Sequence, residues 1–128
     1  MTDNFHLETE TDPIRLALRD LLLASQHIRA AAVIRLSGLT IAAMMPAYIE
    51  QERVSAMSAV MMLLGERLTT AMLNGELSKV YIQGENGHIV LRSIGGDAVL
   101  TVTASEEVPL GLVFLEMELA VEKLNALV

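Results

Sequence analysis

The sequence predicts a single α/β (α+β) domain in the order α-β-β-α-β-β-β-α, with a five-stranded, mainly antiparallel sheet carrying helices on both faces. Three observations lead to that class. Three segments repeat apolar residues at helical spacing between start and stop signals. Between them lie short runs rich in Val, Ile, Leu, Ala and Thr, joined within each cluster by tight turns that make antiparallel pairing the default. Those runs are apolar on both sides: Val80 and Ile82 alternate with Tyr81, and Leu100 and Val102 with Val99. Both sheet faces therefore need cover. A length of 128 residues suits one domain with one core.

Residues 1–11 read as an acidic tail, and residues 12–128 as the domain. Asp12-Pro13 opens the first helix with a capping carboxylate and a proline at the first helical position. Ile14, Leu18, Leu21, Leu22 and Ile28 keep its spacing to about Ile28. Two strands follow, Ala31 to Leu36 and Leu39 to Met44, with Ser37-Gly38 as a two-residue hairpin turn. A loop with Pro46 leads to a long helix, Gln51 to Leu73, which Asn74-Gly75 stops with a C-terminal glycine signal. Three strands come next: Lys79 to Gly84, His88 to Ile94 after the Asn86-Gly87 turn, and Ala98 to Thr103 after Gly95-Gly96-Asp97. Leu110 to about Leu127 forms the last helix, buried through Leu110, Val113, Phe114, Met117, Val121 and Leu124, while Glu116, Glu118 and Glu122 point elsewhere.

The long helix carries the most information. At 1.5 Å per residue it runs about 34 Å. Val54, Met57, Met61, Leu64, Leu68 and Met72 form one apolar stripe, and Ala56, Val60, Leu63 and Ala71 an adjoining one. Together they span about half the circumference, wider than the ~100° stripe that seats a helix on a single core. The surplus predicts a second packing surface, a partner subunit of the same or a paralogous chain. Candidate interface residues are Val54, Met57, Met61, Leu64, Arg67, Leu68 and Met72, with the Arg67 stem lying along the seam. The polar arc holds Ser55, Ser58, Met62, Glu66, Thr69 and Thr70. Met62 is its odd apolar member, either one ordinary exposed Met or the anchor of a shallow partner-binding surface that includes Ser55, Ser58, Glu66 and Thr69.

Composition excludes several function classes. The hydrophobic fraction of 52% rules out general disorder, and an aromatic content of 3% makes the core aliphatic. A net charge of −7 with no basic stripe argues against nucleic acid and against anionic membrane surfaces. The chain has no cysteine, which removes disulfides and thiolate chemistry and fits a cytoplasmic location. The first twelve residues contain neither Lys nor Arg, the reverse of a signal peptide. The longest charge-free stretches, Leu36 to Ile49 and Val54 to Gly65, fall short of the ~20 apolar residues of a spanning helix.

No constellation points to catalysis or to a cofactor. His6, His27 and His88 lie apart in the sequence and read as surface histidines, without a metal-ligand spacing. No GxxxxGK[ST] or GxGxxG loop is present to cradle a phosphate. Glu106-Glu107 and Glu116 with Glu118 read as solvated carboxylates, the first pair favourably placed at a helix start. Arg53 and Arg67 are the candidates for an inserted arginine finger, and pairing along an interface is the better reading for Arg67.

The ordered set of segments resembles the Roadblock domain family, which includes the dynein light chain of that name. The carrying segments are AAAVIRLSGLTIAAM (Ala30 to Met44), ERVSAMSAVMMLLGERL (Glu52 to Leu68), KVYIQGENGHIVL (Lys79 to Leu91) and AVLTVTASEEVPLGLVFLEM (Ala98 to Met117). The likeness runs from about Ile14 to Leu127. It departs at Ser37, where many bacterial members carry an acidic residue or Asn before the hairpin glycine, and either choice permits the turn. The resemblance implies a five-stranded sheet between helices, and dimers in which two sheets join edge to edge and the central helices pair. It also implies action with small Ras-like GTPases, as in bacterial members, without an arginine finger. The expected function is therefore a non-enzymatic homodimeric regulator or positioning platform for a small Ras-like GTPase. The alternatives are a scaffold or adaptor subunit without effect on GTP hydrolysis and, third, a small-ligand sensor domain.

Overall fold

A computed structural model describes residues 12–128; the expected acidic tail lies outside them. The elements are α1 (Pro13–Leu23), β1 (Ile28–Arg35), β2 (Thr40–Met44), α2 (Gln51–Ala71), β3 (Lys79–Gly84), β4 (Gly87–Ile94), β5 (Ala98–Ser105) and α3 (Leu110–Asn125). One five-stranded sheet has the order β2-β1-β5-β4-β3. Every neighbouring pair is antiparallel. This is the α-β-β-α-β-β-β-α order and the antiparallel sheet that the sequence predicts.

Asp12 caps α1 as expected, its carboxylate accepting from the Ile14 amide at 3.0 Å. The helix stops at Leu23, however, and Ile28 opens β1. Ser25 explains the break: its hydroxyl accepts from the His27 amide at 3.1 Å and its carbonyl from the Ile28 amide at 3.2 Å. Such local bonds offer the backbone an alternative to the helix. Ile28 still packs into the same core as α1, so its helical spacing was coincidental.

The turns also differ in detail. The first hairpin closes with the Arg35 amide donating to the Leu39 carbonyl at 2.8 Å, leaving residues 36–39 in the loop and Gly38 at φ 97°. In the β3–β4 hairpin Gly84 pairs with Gly87, so Glu85 and Asn86 make the turn. Gly87 has a different task. A Cβ there would stand 2.5 Å from the Ala104 carbonyl oxygen, so β5 can approach only a glycine.

The two faces of the sheet are covered unequally. On one, α1 and α3 bury Leu18, Leu21, Val113, Met117 and Leu124 against Val33, Val90, Leu100 and Val102 in a single cluster. The last helix thus buries the face that its spacing predicts. On the other face lies α2 alone, over two smaller clusters built on Ala32, Ile34 and Ala43 and on Met62, Leu91 and Val99.

Candidate partner-binding surface

Helix α2 meets the sheet through its small and polar arc. Ser55, Ser58, Ala59 and Met62 are its buried residues. The Ser55 hydroxyl donates to the Gln51 carbonyl at 3.0 Å and bonds the Thr40 hydroxyl on β2. Met62 fills the cluster with Leu91 and Val99, flanked by Leu36, Leu77 and Val80. Small residues allow the close approach: a Cβ on Gly65 would come within 2.9 Å of a Leu77 methyl. The expected partner-binding set is therefore corrected for Ser55, Ser58 and Met62, which the chain's own sheet covers. Of that set, Glu66 is exposed and Thr69 half-buried, on the rim of a cavity of about 640 Å³ that also involves Thr70, Leu73 and Gly96.

The apolar arc points the other way. Met57, Met61, Leu64, Leu68 and Met72 retain between 37% and 64% exposure, Arg67 is exposed, and Val54 is half-buried. In the adjoining stripe Val60 and Leu63 are exposed as well. The surplus inferred from the helical wheel is thus almost the whole apolar surface of α2.

Part of this arc overhangs a groove of about 610 Å³. Its walls are Met45, Ile49, Val54, Met57 and Met61, and its floor is Ile82, Ile89, Leu91, Thr101 and Thr103 of β3, β4 and β5. The floor ends at β3, an edge strand whose outer side pairs with nothing among the described residues. An apolar stripe, an apolar groove and an open strand edge thus form one continuous surface. Such surfaces are interaction sites or aggregation liabilities.

The model of the Roadblock/LC7 domain matches residues 15–104. The chain belongs to the Roadblock/LC7 domain family. An uncharacterized protein of Methanocaldococcus jannaschii is 30% identical over 103 residues, covering 80% of this chain and 90% of that protein. Among solved structures, Myxococcus xanthus MglB superposes with a TM-score of 0.85 at 18% identity, covering 92% of this chain and 96% of that one. A Roadblock/LC7 domain from Streptomyces avermitilis gives 0.82 at 16% identity, covering 87% and 93%. The Roadblock/LC7 match contains the whole of α2, β3 and β4, and so most of the groove; α3 falls outside it.

The remaining candidate residues of this Roadblock/LC7 chain have structural employment. His88 is buried, not a surface histidine. Its Nε2 donates to the Glu106 carbonyl at 3.2 Å, which leaves Nδ1 to accept from the Tyr81 hydroxyl at 2.7 Å. His27 is half-buried, with Nδ1 bonded to the Ser105 hydroxyl at 2.9 Å. His6 lies outside the described residues. Glu118 does not simply face solvent: the Arg92 Nε and Nη2 donate to its two oxygens at 3.0 and 2.9 Å. Those bonds hold its carboxyl below the usual range, against an opposing effect of burial. Arg53 pairs with Glu50 at 3.4 Å on the exposed start of α2. Among the described residues no group of three or more His, Asp or Glu could hold a metal ion. No helix among them is long and apolar enough to cross a membrane.

Proposed function

We propose that this protein is a non-enzymatic homodimer that regulates or positions a small Ras-like GTPase. The observation that carries the reading is the outward apolar arc of α2 together with the groove beneath it. A monomer that keeps Met57, Met61, Leu64, Leu68 and Met72 in water forgoes stabilisation of about 25 cal/mol for each Å² left uncovered. A second copy is the natural cover, because a two-fold interface sets the same patch against itself and here the patch contains both ridge and groove. Joining two β3 edges in antiparallel fashion would extend the sheet across the same seam.

The GTPase follows from family membership and from the resemblance of the bacterial members. Because the inner arc of α2 is buried against the sheet, the contact proposed here lies on its outward side. With the Met57–Met72 flank and the groove, which Ala56 and Val60 also line, taken by the second copy, Leu63 with the exposed Arg67 and Glu66 is what α2 has left to present. No phosphate-binding loop is at hand in the sequence, so nucleotide chemistry belongs to the partner.

The test is titration of nucleotide-loaded Ras-like GTPases against the wild type and a Leu63→Lys variant. Binding that the variant weakens at least tenfold, with the dimer intact, supports the contact. Binding unchanged in the variant moves the contact off α2. GTP turnover in the same mixtures separates a regulator, which changes the rate, from a scaffold, which binds without changing it.

A further inference from the structure

The groove beneath α2 holds a hydroxyl that the fold leaves without a partner. On β5, Leu100 and Val102 turn into the cluster under α1 and α3, so Thr101 and Thr103 face α2 and line the groove floor. Thr101 is only 5% exposed. Its Oγ1 is buried and makes no hydrogen bond among the described residues. Its cross-strand neighbours, Ala32 and Leu91, have no polar side chain to offer. A valine there would keep the shape and the strand preference without leaving a hydroxyl unpaired in the interior. The sequence thus places a polar group where packing alone favours an apolar one.

The rest of the lining carries no charge. Met45, Met57 and Met61 form adaptable walls, Ser58 is the other buried hydroxyl residue, and no Lys, Arg, His, Asp or Glu lines the groove. Its volume of about 610 Å³ falls within the roughly 300–1,000 Å³ of small-molecule sites, which are mostly apolar with a few polar groups. We infer that the groove binds a neutral, largely aliphatic small molecule with one hydrogen-bonding group, an alcohol or an amide, which pairs with Thr101. A rotation about χ1 is all that Thr101 needs to present Oγ1 to it. A carboxylate or a phosphate is disfavoured, because it would enter the groove with no cation to meet it. The site does not depend on the second copy proposed above. It shares Met57 and Met61 with that interface, so ligand and second copy exclude one another. A molecule that binds the dissociated chain alone weakens self-association by mass action.

The experiment titrates octanol, and separately octanoate, into the wild type, a Thr101→Val variant and a Leu68→Glu variant whose substitution lies off the groove and disfavours the dimer. Methionine methyl resonances locate the probe. Octanol is expected to shift Met45, Met57 and Met61 to saturation and to leave Met117, in the closed cluster, unmoved. Octanoate should bind at least tenfold more weakly. Thr101→Val should bind octanol about fivefold more weakly, the loss of one hydrogen bond, while its thermal unfolding midpoint stays level or rises because an unpaired hydroxyl is gone. Octanol binding to Leu68→Glu but not to a wild-type dimer would support the site and its competition with the second copy. A wild type that is monomeric and still takes octanol in this way overturns the homodimer alone. The site itself is overturned by no saturation in either the wild type or Leu68→Glu, or by equal octanol affinity in Thr101→Val. A lower unfolding midpoint in Thr101→Val would also overturn it, because the hydroxyl would then serve its own fold.

Discussion

The two faces of the sheet solve the same problem in different ways. Under α1 and α3 the apolar stripes turn inward and meet Val33, Val90, Leu100 and Val102 in one closed cluster. Under α2 the helix turns inward its serines, an alanine and one methionine, and leaves its large aliphatic side chains in water. Stability explains the first arrangement. The second leaves uncovered the surface that the proposed second copy would complete. The difference teaches that the more hydrophobic arc of a helix is not always the arc that its own domain buries.

Mutations on the closed face are expected to give the largest effects. Leu100→Ala should lower unfolding stability by about 3 kcal/mol, the cost of a cavity in a filled cluster, as measured by urea denaturation. The matched change on the open face, Leu64→Ala, should lower the stability of the dissociated chain by less than about 0.5 kcal/mol. Equal losses at the two positions would erase the contrast.

Next in size is the effect of a charge on the open face. Leu68→Glu should weaken self-association roughly a hundredfold, because a carboxylate would be buried unpaired at the seam. Its circular dichroism should match wild type, since Leu68 is 63% exposed and supports no core cluster. A helical signal lost along with the dimer would place Leu68 in the monomer's core instead.

The sheet between the two faces gives a third test. Gly87→Ala puts a methyl against the Ala104 carbonyl and should destabilise the β4–β5 pairing by about 2 kcal/mol. Hydrogen exchange should show the loss at the end of the sheet holding His88 and Ser105 first.

The smallest expected effect lies at the Arg92–Glu118 pair, which is partly exposed. Glu118→Gln should lower stability by less than about 1 kcal/mol at neutral pH. The sign with pH follows from the depressed carboxyl. Glu118 contributes fully above the unfolded carboxylate value of about 4.3, and the contribution fades as pH falls through its lower folded value. Wild type and variant should therefore converge in acid; a gap that persists there would mean the pair acts through packing.

Much of this architecture was legible in the residues. Turn glycines, the Asp12-Pro13 cap and the two hydrophobic periods placed the elements, and the buried face of α3 followed its spacing. The width of the α2 apolar arc pointed to a second surface. The orientation of that helix was not legible. A helical wheel assumes that apolar residues seek their own core, whereas Ser55, Ser58, Ala59 and Gly65 win the sheet-facing side by being small enough for close approach. Met62 then looked like an exposed anchor because its neighbours on the wheel are polar. The end of α1 was misread because Ile28 packs beside the helix without belonging to it. The left-handed Leu73 that follows α2, at φ 58°, gave no local signal, since leucine carries no preference for positive φ.

Completion of the open face by a second copy is tested most directly by sedimentation equilibrium of the wild-type chain. The expected result is a dimer at micromolar concentration that dissociates on dilution. A chain that remains monomeric at tens of micromolar would contradict it.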